Sequence, residues 1–145
     1  MSSILKPLTE YHFSRLVDLW EASVRATHHF LTEQDIQFFK PLIRESYLSV
    51  LMLVGVTTPS GDLAGFIGID GDKIEMLFIH PDYFSQGYGA MLINHAIVHM
   101  HATKVDVNED NPGATAFYAK MGFKLVGRSP RDSAGKPFPI LHMER

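Results

Sequence analysis

The 145-residue chain contains no cysteine. That excludes a disulfide scaffold, thiolate zinc sites and any covalent acyl-cysteine intermediate. Positive charge is not in excess either: 13 Lys and Arg against 16 Asp and Glu leave a net charge of -3. The basic stripe of a nucleic-acid-binding surface is missing, so no nucleic-acid partner is expected. The longest aliphatic stretch, Val50 to Val56, is far short of the ~20 residues that span a bilayer, and no membrane partner is expected. The opening Met-Ser-Ser-Ile-Leu-Lys-Pro has no basic segment leading into an apolar one. It does not read as a secretory signal, and the cytoplasm is the default location. No internal repeat, low-complexity tract or linker-like run divides the sequence, so residues 1–145 are expected to form one N-terminal-to-C-terminal domain.

Hydrophobic residues make up 46% and charged residues 20%, a balance that supports a packed core rather than disorder. Thr9 is placed to cap a helix from Tyr11 to about Ala26, where Phe13, Leu16, Val17 and Trp20 recur at helical spacing. Thr32 with Asp35 can open a second helix through Ile36, Phe39 and Ile43, which Pro41 is expected to interrupt. Val50–Thr57, Leu63–Ile69 and Ile74–Ile79 read as three antiparallel strands, joined by turns at Pro59–Asp62 and Gly71-Asp72. A glycine-containing turn then leads to a helix from about Gly87 to Met100. Val105–Val107 is a short strand, Pro112 to Met121 a helix stopped by Gly122, and Phe123–Gly127 and Phe138–Met143 closing strands. The order gives a mixed α/β (α+β) domain: two N-terminal helices, an antiparallel meander, and a β-turn-α crossover in the middle.

That crossover, Phe84-Ser85-Gln86-Gly87-Tyr88-Gly89-Ala90, is the most informative segment. A helix N-terminus presents unpaired N–H groups and a partial positive charge, and both favour a phosphate. Glycine lets the backbone approach the anion. Two familiar phosphate motifs are excluded. A dinucleotide fingerprint needs a third glycine where Leu92 stands, and the only Gly-Lys, Gly135-Lys136, is followed by Pro137 rather than Ser or Thr.

Further along, Asn111-Pro-Gly-Ala114-Thr-Ala-Phe117-Tyr118-Ala-Lys120-Met-Gly122-Phe123 resembles the Asn-x-x-Ala-x-x-Phe-Tyr-x-Lys-x-Gly-Phe motif of the GNAT superfamily of acyl-CoA-dependent N-acetyltransferases. Leu77 to Tyr83 and the glycine turn resemble the same family's pyrophosphate loop and the strand before it. Trp20 to Leu31 and Gly127 to Pro139 are similar, less specifically, to a YjaB-like bacterial branch of protein-lysine acetyltransferases. Two positions depart from the pattern: Phe84 stands where Arg or Gln is usual, and Ser85 where Gly is common.

The resemblance implies a GNAT-like fold with a splayed mixed sheet, acetyl-CoA as co-substrate, and attack of an amine on its thioester. Ser85, Gln86, Gly87, Tyr88, Gly89 and Ala90 would hold the pyrophosphate, relying on main-chain N–H groups because of the two departures. The main chain of Leu77, Phe78 and Ile79 would pair with the pantetheine arm and polarise the thioester oxygen, and Asn111 would contact the cofactor while capping its helix. Tyr118 would protonate the departing thiolate, a phenol of pKa about 10 being matched to a thiol of about 8.5 or above. Its bland alternative is a packing tyrosine with its hydroxyl at the wet edge. Glu75 is the first choice for general base, against a solvated strand carboxylate. His28 and His29 are second choices, or line the acceptor pocket.

His95, His99 and His101 are candidate metal ligands. His95 and His99 share a helical face, but no third ligand is evident and no metal is expected. The acceptor is expected to be an amine, on a protein lysine or N-terminus or on a small molecule such as an antibiotic or polyamine. A non-catalytic acyl-CoA-binding module is the other alternative. Without cysteine, direct attack in a ternary complex is preferred to a ping-pong route. The apolar Val50–Val56 strand and the terminal strands are candidates for a homodimer edge.

Overall fold

The computed structural model describes residues 3–145. Seven strands and four helices follow one another as β1 (Ile4–Leu8), α1 (Phe13–Thr27), α2 (Glu33–Leu42), β2 (Met52–Thr57), β3 (Leu63–Asp70), β4 (Lys73–Ile79), α3 (Tyr88–His99), β5 (Lys104–Asn108), α4 (Pro112–Lys120), β6 (Lys124–Ser129) and β7 (Ile140–Glu144). The strands form one sheet in the order β1-β2-β3-β4-β5-β7-β6. All neighbours are antiparallel except β4 and β5, which are parallel. The mixed α/β fold of the sequence reading is therefore the fold observed.

Helix ends follow local chemistry. Thr32 accepts from the Asp35 N–H at 3.1 Å while the Asp35 carboxylate accepts from the Thr32 N–H at 3.0 Å, so each satisfies an otherwise orphaned donor. Pro41 does not stop α2, which runs to Leu42. The break comes immediately after it, as a wide π turn over Ile43–Tyr47. The first helix begins two residues later than expected, because Glu10–His12 forms a separate tight turn.

Two expectations change. The chain opens with a strand, Ile4–Leu8, that gives no strand signal in the sequence because it is short and carries Pro7. Proline lacks a ladder donor and is tolerated here because β1 lies at the sheet edge. Once β1 is in place, β2 is paired on both sides, so Val50–Val56 offers no edge to a second copy. The two edges are β1 and β6.

Helices cover both faces. On one, Val54, Val56, Ile67 and Ile69 pack with Leu92, Ile93 and Ala96 of α3 and Tyr118 of α4. On the other, Phe66 and Met76 pack with Leu16, Trp20 and Val24 of α1 and Ile36 of α2. Two apolar layers against a two-sided sheet hold β4 and β5 at the centre, where they part.

Candidate active site

The parting of β4 and β5 is abrupt. The two strands pair only at Lys73 with Lys104 and at Ile74 with Val105. Beyond these residues, β4 keeps its β3 partner and β5 keeps β7, leaving a wedge-shaped opening between them. At the apex β4 carries a bulge: Ile74 pairs with Ile69, Met76 with Gly68, and Glu75 is the extra residue. An extra residue reverses the alternation of side chains. Ile74 accordingly enters the α3 core whereas Met76, two residues on, enters the α1 core. Glu75 is thereby aimed at the mouth of the wedge, and its carboxylate lies 3.5 Å from Lys73 Nζ.

The exposed edge of β4 supplies main-chain donors selectively. The His80 N–H donates to the Ala64 carbonyl at 2.8 Å, and main-chain polar groups alternate along a strand. Phe78 therefore turns its N–H and C=O towards β3, while those of Leu77 and Ile79 face the wedge. Of the three residues expected to meet the pantetheine arm, Phe78 has its main chain turned to β3 and its side chain in the cavity wall.

After β4 the chain turns at Pro81–Tyr83 and enters α3 through Ser85 at φ +61° and Gly87 at φ +87°. Both values lie in the left-handed region, where glycine, unlike serine, carries no Cβ penalty. No side chain caps α3. Among the described residues, nothing accepts a hydrogen bond from the N–H groups of Gly87, Tyr88, Gly89 or Ala90. These donors at a helix N-terminus fit a diphosphate. The Gln86 amide instead donates to the Asp82 carbonyl at 3.3 Å and braces the turn.

Two cavities meet at the wedge. The smaller, about 110 Å³, is a slot lined by Leu77, Val105, Val107, Asn111, Ala114 and Tyr118, among others. The larger, about 300 Å³, lies on the α1–α2 side of the sheet. It is walled by Trp20, Phe30, Phe39, Tyr47 and Phe138, and carries Asp70 and Asp132 with no lysine or arginine. His28, Glu75, Met76, Phe78 and Asn108 line both.

Tyr118 is 6% exposed, its ring held between Phe117 and Phe123 at centroid distances of 5.3 and 5.7 Å. Burial pushes its phenol above the ordinary tyrosine range, so it stays protonated. No described residue hydrogen-bonds its hydroxyl, and no described buried side-chain polar atom is both sealed from solvent and unpartnered. The hydroxyl therefore opens into the slot. Asn111 Oδ1 accepts from the Ala114 N–H at 3.2 Å, capping α4, and the residue lines the slot.

The histidines separate. His28 lines both cavities, with Nδ1 2.7 Å from the Thr27 hydroxyl. Burial, then the neighbouring His29, pulls the His28 pKa down to about 4. His29 is exposed and lines neither cavity. His95 and His99 stack on α3 at 5.0 Å, and among the described residues no group of three metal-ligating side chains forms around them.

The wall facing α2 comes from the loop between β6 and β7; Phe138, expected to open the last strand, lies in this loop, because β7 begins only at Ile140. Phe138 packs on Phe30 at 5.4 Å, and Lys136 reaches α2 at Asp35 (3.3 Å) and over the Phe38 ring (4.3 Å). A polar chain also went unread. Glu75 neighbours Lys73; Lys73 meets Asp106 at 2.6 Å; Asp106 meets His142 Nδ1 at 2.6 Å. Only strand register brings these residues onto one face.

A family model described as an acetyltransferase (GNAT) domain matches residues 27–144, which include the wedge, the donor-rich turn and Tyr118. The chain belongs to the GNAT acetyltransferase family. It is similar to the peptidyl-lysine N-acetyltransferase YjaB of Salmonella typhimurium, 38% identical over 129 residues, which span 89% of this chain and 88% of the relative. The solution structure of apo-form YjaB from Escherichia coli superposes with a TM-score of 0.86 at 33% identity, covering 99% of this chain and 97% of that one. The PaiA N-acetyltransferase of Thermoplasma acidophilum in complex with coenzyme A shares the fold, with a TM-score of 0.73 at 20% identity over the full length of both chains. This GNAT chain is thus an acetyl-CoA-dependent N-acetyltransferase acting on an amine.

Proposed function

We propose that the protein transfers the acetyl group directly from acetyl-CoA to a primary amine, with the two substrates entering the wedge from opposite cavities. The reading is carried by one observation: the slot beside Tyr118 and the larger cavity share a wall that contains Glu75. A thioester in the slot and an amine in the cavity would meet there. The N–H groups of Gly87 to Ala90 hold the diphosphate, and those of Leu77 and Ile79 lie along the pantetheine path, where one of them receives the developing oxyanion.

An amine of pKa about 10.4 is protonated at neutral pH and must lose a proton to attack. Glu75 takes it. The amine nitrogen then bonds the acetyl carbon, the carbon–sulfur bond breaks, the Tyr118 hydroxyl supplies a proton to the leaving sulfur, and the second proton that the nitrogen sheds as the amide forms returns the phenolate to its neutral state. Burial raises the phenol's proton affinity, but the same slot desolvates the thiolate and raises its affinity too, so the two remain matched. With no cysteine to carry an acyl group, both substrates are bound together when transfer occurs.

The ε-amine of a protein lysine is the acceptor favoured by the names of the YjaB relatives. The larger cavity suits it: apolar walls for the methylene stem, and the carboxylates of Asp70 and Asp132 for the ammonium. The experiment is steady-state kinetics with acetyl-CoA and a lysine peptide, for which intersecting double-reciprocal lines are expected. Parallel lines would reject the ternary complex.

A further inference from the structure

The histidine at the junction of the two cavities is held in one orientation by a short relay from the last turn of α1. The Thr27 hydroxyl donates to the Ser23 carbonyl at 2.9 Å. A hydroxyl has a single hydrogen; with it given to Ser23, the threonine oxygen acts as the acceptor in its 2.7 Å contact with His28 Nδ1. The hydrogen of that contact is then on Nδ1. In a neutral imidazole this leaves Nε2 bare, with its lone pair exposed.

Three observations place that lone pair where transfer occurs. His28 and Glu75 both line the two cavities. Nε2 has no hydrogen-bond partner among the described residues, yet no described buried polar side-chain atom is sealed without a partner, so Nε2 opens to the cavities. The ring is clamped by Phe30 and Phe78 at centroid distances of 5.4 and 6.4 Å, so it cannot swing away without disturbing both.

Building on the transfer reading above, we infer that His28 Nε2 accepts a hydrogen bond from an N–H of the acceptor amine and so turns the nitrogen lone pair towards the thioester, with Ser23 and Thr27 as positioning residues that fix the tautomer. This is a different task from proton abstraction. A ring held neutral this firmly is a weak base, so the proton goes to Glu75 and the histidine sets direction. It also favours acceptors that keep an N–H after giving up one proton.

The test separates the relay from the reaction. Long-range ¹⁵N–¹H correlation spectra of the full-length protein at pH 7.5, without ligand, should show His28 protonated on Nδ1. Thr27→Val should shift the population towards Nε2–H, and Thr27→Ser should restore it. With Nα-acetyl-lysine amide as acceptor, His28→Phe, which keeps the packing, should lower kcat/KM for the amine about 10-fold, the loss of one hydrogen bond, with KM for acetyl-CoA unchanged. An Nε2–H tautomer in the parent overturns the inference. So does parental kcat/KM in His28→Phe alongside a slowed Tyr118→Phe. A Tyr118→Phe enzyme with parental rates would instead reject the transfer reading, and the spectra would still decide the relay.

Discussion

Acidification offers a quantitative handle on His28. Its pKa lies near 4 in the folded chain against an ordinary 6.5, through burial first and His29 second. Below pH 6.5 the unfolded chain binds a proton that the folded chain refuses, so stability falls with pH until about 4 and then levels off. The penalty is absent above pH 6.5. Taking the two values, the drop between pH 7 and pH 5 is about 2 kcal/mol from this residue alone. Urea unfolding is the assay, followed by fluorescence of Trp20, the single tryptophan, which is buried in the wall of the larger cavity. Other groups titrate over the same range, so the quantity of interest is the difference between parent and His28→Phe. The variant should lose about 2 kcal/mol less than the parent across that interval. Equal losses in the two proteins would refute the claim that His28 is buried neutral at the junction.

Four further outcomes follow from the same geometry. Tyr118→Phe removes the proton donor but keeps the ring packing, so kcat should fall at least about 100-fold while KM for acetyl-CoA stays within a few-fold, as read by thiol release. Glu75→Gln should lower kcat/KM for the amine by about the same factor. A small effect would return Glu75 to the status of a surface charge. Gly87→Ala puts a Cβ on a residue at φ +87° and should cost about 1–2 kcal/mol, seen mainly as weaker acetyl-CoA binding in calorimetry with kcat little changed. Asn111→Ala removes the α4 cap, worth about 1 kcal/mol, and should lower Tm by roughly 4 °C; thermal melts followed by circular dichroism check it.

Much of this architecture could be read from local patterns. Thr32 with Asp35, the turn at Gly71, Gly87 before a helix, and Pro112 followed by Gly122 are signals contained within a few residues, and each sits where it was expected. The donor-rich turn and Tyr118 were legible for the same reason. What stayed hidden depends on pairing between distant segments. The side-chain reversal at Glu75 exists only because β3 and β4 shift register there, and no alternation in the β4 sequence reveals it. The apolar Val50–Val56 stretch looked like an available edge because β1, short and carrying a proline, gave no strand signal. The larger cavity draws on α1, α2, β3, β4 and the β6–β7 loop at once, so Asp70, Asn108, Asp132 and Phe138 carried no recognisable pattern. The sequence pointed to His28 and His29 equally. Only the position of Thr27 and the packing on Phe78 distinguish the one that lines the junction from the one in solvent.

The central claim is that coenzyme enters along the parted strands with its diphosphate on the α3 N-terminus and its sulfur at Tyr118. Crystals of the protein with coenzyme A test it directly. The account predicts phosphate oxygens on the N–H groups of Gly87 to Ala90, the pantetheine amides on Leu77 and Ile79, and the sulfur within hydrogen-bonding reach of the Tyr118 hydroxyl. Coenzyme bound elsewhere, or a sulfur turned away from that hydroxyl with the slot closed by the protein's own side chains, would contradict it.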